Sequence, residues 1–123
     1  MSKKLNIAVV GMCFGAEFVP IYQAHPDVSN VAIVDRDKQI LDQTASKFNV
    51  ESAYLSLDDI LKDPSFDAVH LVTPIGYHAP QSIAVLQSGK HCACTIPMGL
   101  SFEEIEDIIT ATRESGKKYM MME

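Results

Sequence analysis

Leu5-Asn6-Ile7-Ala8-Val9-Val10-Gly11-Met12-Cys13-Phe14-Gly15-Ala16 opens the first readable unit of the chain, and Val31-Ala32-Ile33-Val34-Asp35 closes it. Both apolar runs are short and nearly continuous, the pattern of a strand buried on both faces of a parallel sheet. A glycine stops the first and an acid the second. Between them, Ala16 to Ala24 reads as a helix ending near His25-Pro26. Pro20 inside it predicts one of two outcomes. Either the helix begins at Ala16 or Glu17, so that the proline falls in the first turn where N–H groups have no intrahelical acceptor, or the helix is kinked.

The same rhythm continues. Asp37 is placed to cap a helix whose Ile40, Leu41, Ala45 and Phe48 share one face at the 3.6 period. Ser52-Ala53-Tyr54-Leu55 reads as a third strand, and Ser56-Leu57-Asp58-Asp59 as a capping box opening a short helix that ends before Pro64. Phe66 to Val72 is a fourth strand stopped by Thr73-Pro74, and Pro80 opens a helix reaching Ser88-Gly89. His91 to Thr95 is a fifth strand. Ser101-Phe102-Glu103-Glu104 is a second capping box, leading a helix with Ile105, Ile108, Ile109 and Thr112 on one face and Gly116 just past its end. Tyr119 to Met122 is a sixth strand. Strands alternating with helices predict an α/β fold, a doubly wound, mostly parallel six-stranded sheet with helices on both faces, forming one domain over residues 1–123. In such open sheets a ligand sits at the carboxyl ends of the strands where strand order reverses, here between the first and fourth strands.

Composition narrows the partners. With 123 residues, 47% hydrophobic and 21% charged, the chain has the profile of one globular domain and not of a disordered segment. A net charge of -6 lacks the broad positive field that captures nucleic acid or an anionic membrane. The apolar run Leu5 to Val10 is far too short to span a bilayer. Three cysteines without paired spacing argue against a disulfide framework, so the expected setting is a reducing cytoplasm. Alternation puts Cys92 and Cys94 on one face of their strand and His91 on the other, which reads as buried core thiols and no metal site.

Gly11-Met12-Cys13-Phe14-Gly15-Ala16 lies between strand and helix, with Asp35 at the next strand end about 20 residues on, the arrangement of a dinucleotide fingerprint. The three glycine positions read Gly11, Cys13 and Ala16, so the middle glycine is absent. Cys13 must point away from the phosphates or hold them further off, and Gly15, one position out of register, takes no assigned role. Asp35 is placed to bind the ribose hydroxyls and to repel a 2′-phosphate, which favours NAD. Arg36 is the residue type that stacks on adenine or accepts that phosphate, which leaves NADP open.

At the fourth strand end the chain carries Thr73-Pro74-Ile75-Gly76-Tyr77-His78, then a helix, then Gly89-Lys90-His91 and a strand ending near Pro97. This resembles the N-terminal domain of the Gfo/Idh/MocA oxidoreductases over essentially the whole chain. Thr73, Pro74 and His78 match the family's Thr-Pro-Asn-x-x-His, with Ile75 in place of Asn. The resemblance implies a Rossmann-like domain in which Thr73, Pro74 and His78 lie beside the cofactor. Read from the residues alone, His78 is equally a helix-start residue bonded to nearby backbone. Where the family carries Glu-Lys-Pro, this chain has Thr95-Ile96-Pro97. The lysine that serves proton transfer in relatives is gone, and no catalytic residue is assigned within the chain. Thr95 can still offer a hydroxyl to the cofactor, and Pro97 shapes the turn.

The resemblance therefore implies the NAD(P)-binding domain of an oxidoreductase acting on a sugar, cyclitol or related polyol, with the substrate held by a further domain. A non-catalytic nucleotide-binding domain is the alternative that Cys13 and Ile96 favour. A third reading is an enzyme that keeps NAD tightly bound for transient oxidation. Apolar surface that a further domain would cover predicts self-association into a homo-oligomer.

Overall fold

A computed structural model describes residues 4–122; residues 1–3 and 123, the ends of the expected domain, lie outside the described residues. Six strands form one parallel sheet in the order β3-β2-β1-β4-β5-β6: β1 (Leu5–Val10), β2 (Val28–Val34), β3 (Ser52–Tyr54), β4 (Ala68–Leu71), β5 (His91–Thr95) and β6 (Tyr119–Met122). The order runs outward in both directions from β1, so strand order reverses between β1 and β4 as expected. Val9 stands between Ile33 and His70, and Val10 between Val34 and Leu71.

The β1 and β2 runs are continuous because both faces are covered. Ala8, Val10, Ala32 and Val34 belong to a core shared with α4 (Leu57–Leu61), α5 (His78–Gln87) and α6 (Phe102–Ser115). Val9, Val31 and Ile33 belong to a second core with α1 (Met12–Gly15), α2 (Val19–Ala24) and α3 (Lys38–Phe48). Cys92 and Cys94 are buried in the first core, on one face as alternation required. On the second face, toward the β6 edge, Met120 is 62% exposed.

Three helices differ from the reading of the sequence; α5 begins at His78, two residues before Pro80, and the other two differ more. The first starts earlier, at Met12, and is broken by a 3-10 turn over Ala16–Phe18 before α2 begins at Val19. Pro20 then sits in the first turn of α2, where its missing N–H costs no hydrogen bond, and the chain bridges the break through Val19 N–H to the Ala16 carbonyl. In α6 the buried residues are Ile108 and Ala111, whereas Ile109 is 42% exposed, so the stripe is rotated from the one expected. Ile108 and Ala111, three residues apart on one face, belong to the first core, and α5 and α6 pack side by side. Capping agrees: Asp37 accepts from Gln39 and Ile40 N–H at 2.9 and 3.3 Å, and Ser101 from Glu104 N–H at 3.1 Å, with Glu104 reaching back to Leu100 N–H at 2.7 Å.

His70 is the one imidazole in the middle of the sheet. It is 1% exposed, its Nδ1 lies 2.8 Å from the Tyr22 hydroxyl, and Phe18 packs edge-on against it at 4.7 Å. Burial pushes its pKa down from 6.5 to about 4. Below pH ~6.5 an unfolded chain takes up a proton that the folded one refuses, so stability should fall as pH drops from about 6.5 to about 4, by at most about 3 kcal/mol. Urea unfolding followed across that window should show a smaller loss in His70→Leu than in the parent. Equal losses would assign the effect to other groups.

Candidate functional site

The carboxyl ends of β1, β2 and β4 converge on Gly11. Its N–H donates to the Val34 carbonyl at 2.8 Å, and its φ of 95° belongs to the left-handed region. A Cβ there would strike the Val72 carbonyl oxygen and come within 2.8 Å of its carbon. Only glycine lets the chain leave β1 this close to β4. Four residues on, Gly15 is buried, and a Cβ on it would lie 3.2 Å from Val9 and 3.3 Å from Val72 side-chain carbons. Gly15, and not Ala16, therefore provides the close approach of helix to strand. The one-residue offset that left it unassigned in the sequence follows from the helix starting at Met12.

Asp35 joins the turn to the next strand. Its Oδ2 accepts from Met12 N–H and its Oδ1 from Asp37 N–H, both at 2.8 Å. The carboxylate is thus fixed in orientation by backbone on either side, and each oxygen keeps further acceptor capacity. Arg36, next along, lies with its guanidinium carbon 5.7 Å from the centre of the Tyr77 ring.

The β4 loop forms the opposite bank. Thr73 donates its hydroxyl proton to Gln81 Oε1 at 2.6 Å. His78, 2% exposed, sets Nδ1 2.7 Å from the Pro97 carbonyl and Nε2 2.8 Å from the Thr73 carbonyl. Of its two readings the geometry matches the helix-start residue bonded to backbone, because both ring nitrogens are engaged inside the protein. His78 is the tie between the loops after β4 and β5. His78→Asn, too short to span them, should cost about 1–2 kcal/mol in thermal or urea unfolding. A variant as stable as the parent would show the tie to be dispensable. Thr95 likewise turns inward, donating to the Leu71 carbonyl at 2.9 Å. Ile96 is 51% exposed, and its bond to Pro97 is cis.

These banks enclose a cleft of about 690 Å³. Of the residues singled out in the sequence, Gly11, Cys13, Asp35, Arg36, Thr73 and Pro74 line it. Met12 and Gly15 are buried beneath it, Ala16 is half-buried against the second core, and Phe14 is exposed beside Phe18. His78, Thr95 and Pro97 do not line it: His78 and Thr95 bond to backbone carbonyls, one of them that of exposed Pro97. Leu55, Ser56, Leu57 and Asp58 complete one wall, and Tyr77, Pro80, Gln81 and Ala84 the other. The sequence marks Ser56 to Asp58 only as a capping box and Pro80 only as a helix opener; their place in the wall comes from position, at the carboxyl end of β3 and the start of α4 and α5. The cysteines of β5 take no part. Burial raises both thiols, Cys92 to about 12, which keeps them as unreactive thiols. Among the described residues no three His, Cys, Asp or Glu side chains gather where a metal ion could be held, and no helix is long and apolar enough to cross a membrane.

A glycine turn under a strand end, a carboxylate fixed at the next strand, and a cleft at the reversal of strand order form one constellation. Residues 5–123 match the GFO_IDH_MocA family, described as an oxidoreductase family with an NAD-binding Rossmann fold. The chain belongs to this family. GFO_IDH_MocA relatives include mouse trans-1,2-dihydrobenzene-1,2-diol dehydrogenase, 31% identical over 118 residues, 94% of this chain and 35% of the relative. Among solved structures, GenD2 from gentamicin A biosynthesis, in complex with NAD, superposes with a TM-score of 0.89 at 28% identity over 98% of this chain and 35% of that one. The scyllo-inositol dehydrogenase of Lactobacillus casei, with bound NAD(H) and scyllo-inositol, gives 0.85 at 25% identity over 97% of this chain and 36% of that one. The chain thus spans about a third of the length of the GFO_IDH_MocA proteins it matches.

The residues present fit the family's cofactor in part. The turn at Gly11 lines the cleft between β1 and β4, and the Asp35 carboxylate retains acceptor capacity for a pair of hydroxyls. Met12 N–H, however, is already given to Asp35, so it is not free for a phosphate. At the far end, exposed Ile96 offers apolar surface and no proton.

Proposed function

We propose that this chain is the cofactor-holding part of an oxidoreductase that moves a hydride between NAD and a hydroxyl-bearing carbon of a sugar, cyclitol or related polyol. The observation that carries the reading is Asp35, fixed by Met12 and Asp37 N–H beside Gly11 at the reversal of strand order. When bound, the nicotinamide supplies the redox chemistry. Asp35 orients the adenosine ribose through its hydroxyls and disfavours a 2′-phosphate by charge, so NAD is preferred to NADP. Thr73 and Pro74 bound the cleft opposite. The substrate class rests on family members that are a diol dehydrogenase and inositol dehydrogenases, and on nothing within these residues.

Proton transfer has no donor at position 96, and His78 is sequestered behind the lining. The general base therefore comes from outside residues 1–123, as does the substrate pocket. Self-association through apolar surface at the β6 edge, where Met120 and Met121 are 62% and 54% exposed, belongs to the same reading. A second reading, favoured by Ile96 in place of the family lysine, is a domain that binds the dinucleotide without catalysis. Incubating a protein that carries this chain together with its substrate domain with NAD and a panel of cyclitols and vicinal diols separates the two. Growth of reduced nicotinamide absorbance with one of them is expected; NAD binding with no reduction by any would favour the second reading.

A further inference from the structure

Ile108 and Ala111 turn α6 inward. On the side away from them, at 3.6 residues per turn, Phe102, Glu106, Ile109 and Arg113 fall within one stripe about 60° wide. All four are exposed, Phe102 at 86% and Ile109 at 42%. Among the described residues neither Glu106 nor Arg113 makes a side-chain hydrogen bond or ion pair. The outer face of the longest helix therefore carries two apolar side chains, one acid and one base, all without a partner.

The stripe has a direction. Acid occupies its first half, in Glu103 and Glu106, and base its second, in Arg113 with Lys117 and Lys118 just beyond the helix. Such a face is complementary to itself only when reversed. A second copy laid antiparallel, with the two-fold axis at Ile109, sets Ile109 against its own equivalent. Each Glu106 then lies within one residue's rise, about 1.5 Å along the axis, of the other copy's Arg113. Phe102 comes over the other copy's Gly116, where nothing lies within 4 Å of the Cβ position, so the ring meets open space and no side chain. A parallel pair would instead set Glu106 on Glu106 and Arg113 on Arg113, and align the two helix dipoles head to head.

We propose that the outer face of α6 is a self-docking surface: two copies of this chain pair through antiparallel α6 helices, with Ile109 at the two-fold axis and a Glu106–Arg113 ion pair on either side of it. The contact is isologous, so it closes at a dimer. It uses neither the cofactor cleft nor the β6 edge, and it does not rest on the NAD reading. One helix pair buries little surface, which makes the dimer weak and sensitive to salt.

Sedimentation equilibrium of the 123-residue chain tests it, at concentrations from about 10 μM to about 1 mM, the range for a small interface. The parent should dimerise, several-fold less tightly at about 0.5 M salt than at low salt. Glu106→Arg and Arg113→Glu should each weaken association about tenfold or more, because a single reversal turns both ion pairs into like-charge contacts. The double variant Glu106→Arg/Arg113→Glu rebuilds both pairs and should return to within about threefold of the parent. All three should unfold at the parent temperature, since these side chains are exposed. Met121→Lys, at the β6 edge, should leave the dimer in place. A parent that stays monomeric, single reversals without effect, or a double variant as weak as either single one would overturn the proposal. Loss of the dimer in Met121→Lys alone would also overturn it, by assigning association to the sheet edge.

Discussion

Gly11→Ala is expected to remove about 4 kcal/mol of folding stability, a large share of what a domain of this size has. Two independent effects add. A non-glycine residue at φ 95° costs on the order of 1–3 kcal/mol in backbone strain. The new Cβ also meets the Val72 carbonyl, backbone tied to β1 by Val72 N–H donating to the Val10 carbonyl at 2.8 Å, which cannot yield as a flexible side chain would. Two other glycines serve as internal controls. Gly116 has a φ of 69° with nothing near its Cβ position, so Gly116→Ala should cost only about 1 kcal/mol. Gly15 has ordinary dihedrals but side-chain carbons at 3.2–3.3 Å, so Gly15→Ala should fall between the two. Urea unfolding of the three variants checks the order. If Gly11→Ala is no more costly than Gly116→Ala, the close approach of β1 to β4 is not as described.

Asp35→Ala should weaken NADH binding by about 10- to 100-fold, the range for hydrogen bonds to a charged group. NADPH should lose less, because the same substitution removes the charge that opposes its 2′-phosphate. A stability loss of about 1–2 kcal/mol should accompany it, since Met12 and Asp37 N–H both lose their acceptor. Asp37→Ala separates the two effects. It removes the cap of α3, worth about 1 kcal/mol, while leaving the carboxylate of Asp35 in place. Equal weakening of NADH and NADPH in Asp35→Ala would remove Asp35 as the discriminating residue.

Both predictions depend on residues that the sequence marks, but for reasons that differ in how far sequence can see. The strands were legible because burial on both faces leaves continuous apolar runs, and β5 and β6 begin and end where composition placed them. Gly11 and Asp35 were legible because a glycine after one strand and an acid after the next are local signals. The role of Gly15 was not, since it depends on where a helix starts, and that is set by the Asp35 carboxylate accepting from Met12 N–H, 23 residues away. Pro20 reads as a first-turn residue of a helix beginning at Ala16 or Glu17, or as a kink; it stands in a first turn, but of a helix that restarts at Val19 after the 3-10 turn. His78 was visible as a residue of interest, yet its function as a tie between two loops needs the Pro97 carbonyl, 19 residues further on, and so could not be read from a motif. Tyr77 was legible only as an unassigned position between Pro74 and His78. Its partner Arg36 arrives from another strand, and only the sheet order brings them face to face.

Ile96 shows the complementary case, a position whose meaning came from resemblance and whose structure adds only that it is exposed. A lysine is accommodated at such a site without repacking, so its absence is a matter of chemistry and not of fold.

The central claim, that the cleft between β1 and β4 holds a dinucleotide through Asp35, is tested most directly by calorimetric titration of the 123-residue chain with NADH beside its Asp35→Ala variant. Saturable binding by the parent, at least about tenfold weaker in the variant, is the predicted result. No heat of binding up to millimolar NADH, or identical affinity in the two proteins, would contradict it.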